Sequence, residues 1–198
     1  DGIWACASLL HCERNQLPNL MQRIFNALKP NGIGYMSFKY GTTDRVKETL
    51  FNWLMHDIDG SRVLDCFAGS GSLAFEALSR HASHATLVER EALQARQLQQ
   101  NISKLQCDNA SVLQQDCLGY LSATANNQFD VVFIDPPFRK QLALPCCNAL
   151  EQNNWLAQQA LIYLETEKEL QVSELPANWR LLKEKVAGQL AYRLYQRG

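Results

Sequence analysis

The run Arg62-Val63-Leu64-Asp65-Cys66-Phe67-Ala68-Gly69-Ser70-Gly71-Ser72 constrains this chain more than any other stretch. A short apolar segment ends in an acid, two glycines follow, and a segment of helical period starts at once. Glycines in such a turn permit positive φ and let a ligand approach bare backbone, while the amides opening the next helix present a partial positive pole. Strand, Gly-rich turn and helix in that order form the opening unit of an α/β sheet, whose ligands sit beyond the carboxyl ends of the strands at the topological switch point.

The rest of the chain repeats that alternation. Short apolar runs at 62–67, 85–89, 111–115, 130–134 and 160–165 read as strands, and the segments 72–80, 91–105, 119–123 and 142–153 read as the crossover helices between them. The runs 179–186 and 190–195, separated by Ala187-Gly188-Gln189, read as a closing antiparallel hairpin. The expected fold is α/β and Rossmann-like, with a mostly parallel seven-stranded sheet ending in that hairpin. Ahead of it, 1–12 and 32–40 look like strands flanking a helix over 17–28, which Lys29-Pro30-Asn31-Gly32 would stop. A further helix is expected over 43–55, with Thr43 as its N-cap.

The Gly-rich turn does not suit a pyrophosphate. Only Gly69 and Gly71 are present, and the acid Asp65 precedes them. A carboxylate there complements the ammonium and sulfonium charges of S-adenosylmethionine better than it does phosphates. Glu89 ends the second strand, where an acid accepts bonds from ribose hydroxyls. Asp116 ends the third, in reach of an adenine amino group. Phe67, Ala68, Arg90 and Cys117 adjoin these positions and complete the expected cofactor site. A Gly-x-Gly pair alone could simply close a tight turn; acids at three successive strand ends favour the ligand.

Asp135-Pro136-Pro137-Phe138 follows the strand at 130–134, at the same edge of the sheet. Proline fixes φ and removes an amide donor, leaving carbonyls to accept. An exocyclic amine conjugated to a base is a poor nucleophile, because its lone pair is delocalised into the ring. The Asp135 carboxylate and the Pro136 carbonyl can accept its two N–H bonds and turn the lone pair outwards, with Phe138 stacked on the base. Transfer would then be an in-line displacement, its rate gained from orientation and electrostatics. These are the expected catalytic residues. DNA adenine and a protein glutamine amide need the same clamp and remain alternative substrates, and a cofactor-binding but catalytically silent RNA-binding module remains an alternative of another kind.

From about Thr42 to Gly198 the chain resembles the bacterial small-subunit ribosomal RNA guanine-N2 methyltransferases. The likeness rests on TTDRVKETLFNWL, LDCFAGSGSLAFEALSR, DVVFIDPPFR and EKVAGQLAYRLYQR. It implies a class I S-adenosylmethionine-dependent methyltransferase that modifies the 2-amino group of one guanine in 16S ribosomal RNA, within the small subunit or its assembly intermediate. It also implies Asp65, Gly69, Gly71, Glu89 and Asp116 as cofactor ligands and 135–138 as the clamp. That family carries a basic, Gly- and Arg-rich front leading into Arg-Pro-Thr-Thr, whereas Lys39-Tyr40-Gly41 precedes Thr42-Thr43 here. Residues 1–41 resemble instead a strand, helix and strand of a different class I methyltransferase. The expectation is a chimera or fusion joined near 40–43, with an appendage at 1–41 and the methyltransferase domain at 42–198.

Composition narrows the rest. The formal net charge of −1 carries no global signature of a nucleic-acid binder, so phosphate contacts must be local. Arg45 and Arg139 are the candidates, with Lys47, Lys140, Lys183 and Lys185 as further cations. The 7 cysteines fall at no ligand-like spacing, and the 4 histidines have no partner at such spacing, which points to reduced thiols, no metal and a cytoplasmic protein. No apolar run is long enough to cross a membrane.

Overall fold

The structure, a computed structural model, describes residues 3–4, 34–35, 42–170 and 174–198. It divides into two compact units, Asp1–Arg45 and Val46–Gly198. In the first, β1 (Ile3–Trp4) pairs in parallel with β2 (Gly34–Tyr35). The helix expected over 17–28 and residues 40 and 41 of the expected junction lie outside the described residues. Helix α1 (Thr42–Trp53) opens one residue early, so Thr43 sits in its first turn and is not its N-cap.

The second unit is built on the strands β3 (Arg62–Asp65), β4 (His84–Glu89), β5 (Ala110–Gln114), β6 (Phe129–Ile134), β7 (Leu156–Glu167), β8 (Trp179–Ala187) and β9 (Leu190–Arg197). They form one seven-stranded sheet in the order β5-β4-β3-β6-β7-β9-β8. Pairing is parallel from β5 to β7 and antiparallel at β7–β9 and β8–β9. The expected class of fold is therefore present, hairpin included. The chain runs outward from β3 to β5 and then returns to lay β6 on the other side of β3. This reversal places the switch point at the ends of β3 and β6, where Asp65 lies opposite Phe133 in register.

Crossover helices α2 (Ser72–Ser79), α3 (Ala92–Leu105), α4 (Cys117–Leu121) and α5 (Ala143–Gln152) cover the sheet. Because successive strand side chains point to opposite faces, the buried strands read as continuous apolar runs feeding two cores. Val63, Leu87, Val131, Phe133 and Tyr163 pack with Leu50 and Phe51 of α1, with Leu54 just after it and with Phe75 of α2. Leu64, Val88, Val132, Ile134 and Ile162 pack with Leu121 of α4 and Leu150 of α5 on the other face. Helix α1 is thus part of the first core, and Lys47 ties it to α2 through Ser72 Oγ at 3.4 Å and Glu76 at 3.7 Å. At the far edge, the Arg197 guanidinium donates to both carboxylate oxygens of Glu151, which also accepts from the Trp179 indole at 2.9 Å. That cluster fastens the hairpin to α5.

Strand β7 starts earlier than the expected 160. Leu156 pairs with Phe129, the register then shifts, and Val131 pairs with Leu161. Gln159 at φ 62 carries the irregularity. The polar pair Gln158-Gln159 interrupts the apolar run that marks a buried strand, which hides the first part of β7 from a pattern reading.

Candidate active site

Two loops meet at the switch point. The first is the Gly-rich turn after β3. Its Ala68 amide donates to Val88 O at 3.0 Å, and its Gly71 amide to Ala68 O at 2.6 Å. Gly69 and Gly71 both take positive φ, 52° and 76°. They do different work. A Cβ on Gly71 would stand 2.6 Å from Phe75 and 2.7 Å from Leu98, so that glycine lets α2 and α3 pack closely. A Cβ on Gly69 would meet nothing closer than Phe67 O at 3.9 Å, so this glycine faces open space.

Asp65, at the end of β3, is 2% exposed. Burial and the nearby Asp135 charge push its carboxyl up from 3.8 to about 7, against hydrogen bonds from the Phe67 and Ala74 backbone that pull it down. A buried acid poised near neutrality is short of positive charge, so the donor set fits a cationic ligand portion. Glu89 stands where the spacing places it, but both its oxygens are engaged. Oε2 accepts from the Gly69 amide at 2.8 Å and Oε1 from the Glu91 amide at 2.8 Å. It therefore shapes the turn, and each carboxylate oxygen keeps a second lone pair for a hydroxyl. Asp116 is the N-cap of α4, accepting from Gly119 N at 3.0 Å. Arg90 is turned to Glu91 at the surface, 2.9 Å away.

The second loop is the tetrad after β6. Asp135 and Phe138 are exposed, Phe138 at 47%. The Arg139 guanidinium lies 5.1 Å from the Phe138 ring centroid, and the Arg139 amide donates to Glu167. The tetrad opens on a cleft of about 900 Å³ whose walls include Leu142, Pro145 and the carboxylates Glu165 and Glu167. Glu165 accepts from the Tyr163 hydroxyl at 3.1 Å. Burial, then Glu165 and Asp135, push the Tyr163 phenol far up and keep it a donor. Sequence reading missed Glu165, although its place directly after the apolar core of β7, level with Asp135 beyond β6, is the available signal.

Of the expected residues, Asp65, Phe67, Ala68, Gly69, Gly71 and Glu89 gather around the first loop and Asp135, Pro136, Pro137 and Phe138 around the second. Cys117 is buried at 4% beneath Asp116, among other thiols. Arg139 is on the cleft rim, while the side chain of Arg45 lies outside the described residues. Trp155 and Trp179 are both buried and belong to the second core. Among the described residues no helix is long and apolar enough to cross a membrane.

Comparison with known proteins places this geometry. A family profile described as "Conserved hypothetical protein 95" matches residues 40–196. The chain is 52% identical over 156 residues to ribosomal RNA small subunit methyltransferase D of Escherichia coli K12, covering 79% of this chain and 78% of that protein. The same-named protein of Haemophilus influenzae is 52% identical over 158 residues, covering 78% and 81%. A solved H. influenzae structure superposes with a TM-score of 0.72 at 52% identity, covering 79% of this chain and 99% of the other. The match begins within two residues of Thr42, where the sequence resemblance also begins. The chain therefore belongs to the conserved hypothetical protein 95 family, the family of ribosomal RNA small subunit methyltransferase D.

Proposed function

We propose that residues 42–198 are an S-adenosylmethionine-dependent methyltransferase domain, carrying residues 1–41 as an appendage, that methylates the 2-amino group of a guanine in 16S ribosomal RNA of the small subunit. The observation that carries this reading is the juxtaposition at the switch point. The Asp135-Pro136-Pro137-Phe138 loop opens on an acidic cleft, and Asp135 lies close enough to the buried Asp65, at the end of the neighbouring strand, for its charge to act on that carboxyl. The names of the relatives agree with it.

Bound S-adenosylmethionine would supply an electrophilic methyl group on a positively charged sulfonium. Asp65 and the Gly69 backbone would hold it, with Glu89 accepting from the ribose and Asp116, Phe67, Ala68 and Cys117 bordering the adenosine. Asp135 and the Pro136 carbonyl accept the two N–H bonds of the target amine and aim its lone pair. Phe138 stacks on the base, and Arg139, already against that ring, neutralises charge at the rim. Glu165 accounts for guanine. Beside its 2-amino group guanine carries an N1–H donor, which a carboxylate accepts. Adenine carries an N1 lone pair beside its 6-amino group, and a carboxylate repels it. Leaving a buried polar group without a partner is what rejects the wrong base. The carboxylates also keep phosphates out of the cleft, so the backbone of the RNA must run along the rim past Arg139 and Lys140. Such an enzyme works in the cytoplasm, where ribosomal subunits assemble.

Substituting Asp135→Ala tests the assignment. Turnover should fall by about 10²- to 10³-fold, the usual loss for one transition-state acceptor, while cofactor affinity is kept. Unchanged turnover would remove the clamp from the mechanism.

A further inference from the structure

Three buried thiols meet beneath the loops that carry Asp65 and Asp116. Cys66 follows β3, Cys117 opens α4 and Cys146 lies within α5, and they are 1%, 4% and 0% exposed. Their sulfurs all lie within 4.8 Å of one another. Cys117 and Cys146 are 3.7 Å apart. The three come from separate elements, so sequence spacing gives no hint of the grouping. A thiol that only fills space in an apolar core has no reason to point its sulfur at two others. At metal–sulfur bonds of about 2.3 Å, tetrahedral thiolates stand about 3.8 Å apart, close to the spacing of Cys117 and Cys146.

We propose that Cys66, Cys117 and Cys146 form a three-thiolate site for one soft divalent d¹⁰ cation, of the chemistry of Zn²⁺ or Cd²⁺. Thiolate ligands select such ions over the hard, oxygen-seeking ones. The protons balance as well. Each thiol that ligates gives up its S–H bond, its proton leaves to solvent and a metal–sulfur bond takes its place. Three thiolates around a divalent ion carry one net negative charge, where a monovalent ion would leave two in the apolar core. Because Cys66 directly follows Asp65 and Cys117 directly follows Asp116, the ion joins the two loops that border the proposed cofactor site.

The test is a Cd²⁺ titration of the full, reduced, metal-free chain, read by the ultraviolet thiolate-to-metal charge-transfer band and followed by displacement with Zn²⁺. The expected result is saturation at one equivalent. Affinity should fall at least 100-fold in Cys117→Ala and in Cys146→Ala and stay unchanged in Cys107→Ala and Cys147→Ala. Circular dichroism checks folding, and Cys146→Ser, which preserves size, replaces an alanine variant that fails it. A wild-type chain with titratable thiols but no band overturns the site. So does a band of equal strength in both cluster variants, which would assign it to the remaining cysteines.

Discussion

Asp65→Asn should make the protein more stable at alkaline pH while weakening its proposed cofactor site. The Asp65 carboxyl rises on folding from 3.8 to about 7 because it is buried beside Asp135. The folded state therefore holds this proton more tightly than the unfolded chain does. Its contribution is fully present below about pH 4 and is lost as pH rises through about 7. A rise of about three units at roughly 1.36 kcal/mol each amounts to about 4 kcal/mol lost by pH 8.5. Asparagine is neutral throughout and keeps a carbonyl oxygen for the Phe67 and Ala74 amides. Urea unfolding of both proteins in steps from pH 4 to 8.5 reads the effect, because the carboxylates away from Asp65 and its neighbour Asp135 titrate alike in the two. The variant should match the wild type within about 1 kcal/mol at pH 4 and exceed it by up to about 4 kcal/mol at pH 8.5. Calorimetry with S-adenosylmethionine should show the opposite sign. Loss of a charged acceptor costs about 1.5–3 kcal/mol, roughly 10- to 150-fold in affinity. Wild-type affinity should also rise with pH up to about 7, since a bound cation draws Asp65 to its ionised form. A stability difference that stays constant across the pH range would mean that Asp65 does not hold its proton more tightly in the folded state.

Three other expectations follow from particular contacts. Gly71→Ala should destabilise the protein by about 2–4 kcal/mol in urea unfolding, combining left-handed strain with the clash against Phe75 and Leu98; Gly69→Ala should cost only the strain, about 1–2 kcal/mol, and register mainly as lost cofactor affinity. Glu165→Gln should lower kcat/KM on unmodified small subunits by about 10- to 100-fold with cofactor affinity unchanged, and an equal loss of cofactor binding would move Glu165 out of the base pocket. The Tyr195 hydroxyl is buried with no partner among the described residues, so Tyr195→Phe should be neutral or stabilising by up to about 1 kcal/mol, and a large loss in thermal unfolding would expose a missed partner.

The second unit was legible in the sequence because its inner strands β3, β4 and β6 are buried on both faces. Such strands read as plain apolar runs, and each helix between them shows one apolar stripe, as α3 does at Ala95 and Leu98. Legibility failed where a local rule was broken, as at Gln158-Gln159 inside β7. At the site, position along the chain located the acids but not their duties. Glu89 and Asp116 sit at the expected strand ends, yet one holds the Gly-rich turn and the other caps α4, and backbone amides leave no pattern in a sequence. Gly69 and Gly71 look equivalent as letters and differ only in what stands over each Cα. Glu165 and the three thiols depend on contacts between elements far apart in the chain, which neither periodicity nor spacing encodes.

The proposed activity can be read by incubating the protein with tritiated S-adenosylmethionine and unmodified small ribosomal subunits, then digesting the 16S RNA to nucleosides. The label should appear in N2-methylguanosine at one site per subunit and be absent with Asp135→Ala. Label in a methylated adenosine, or no label from a protein that binds the cofactor, would contradict it.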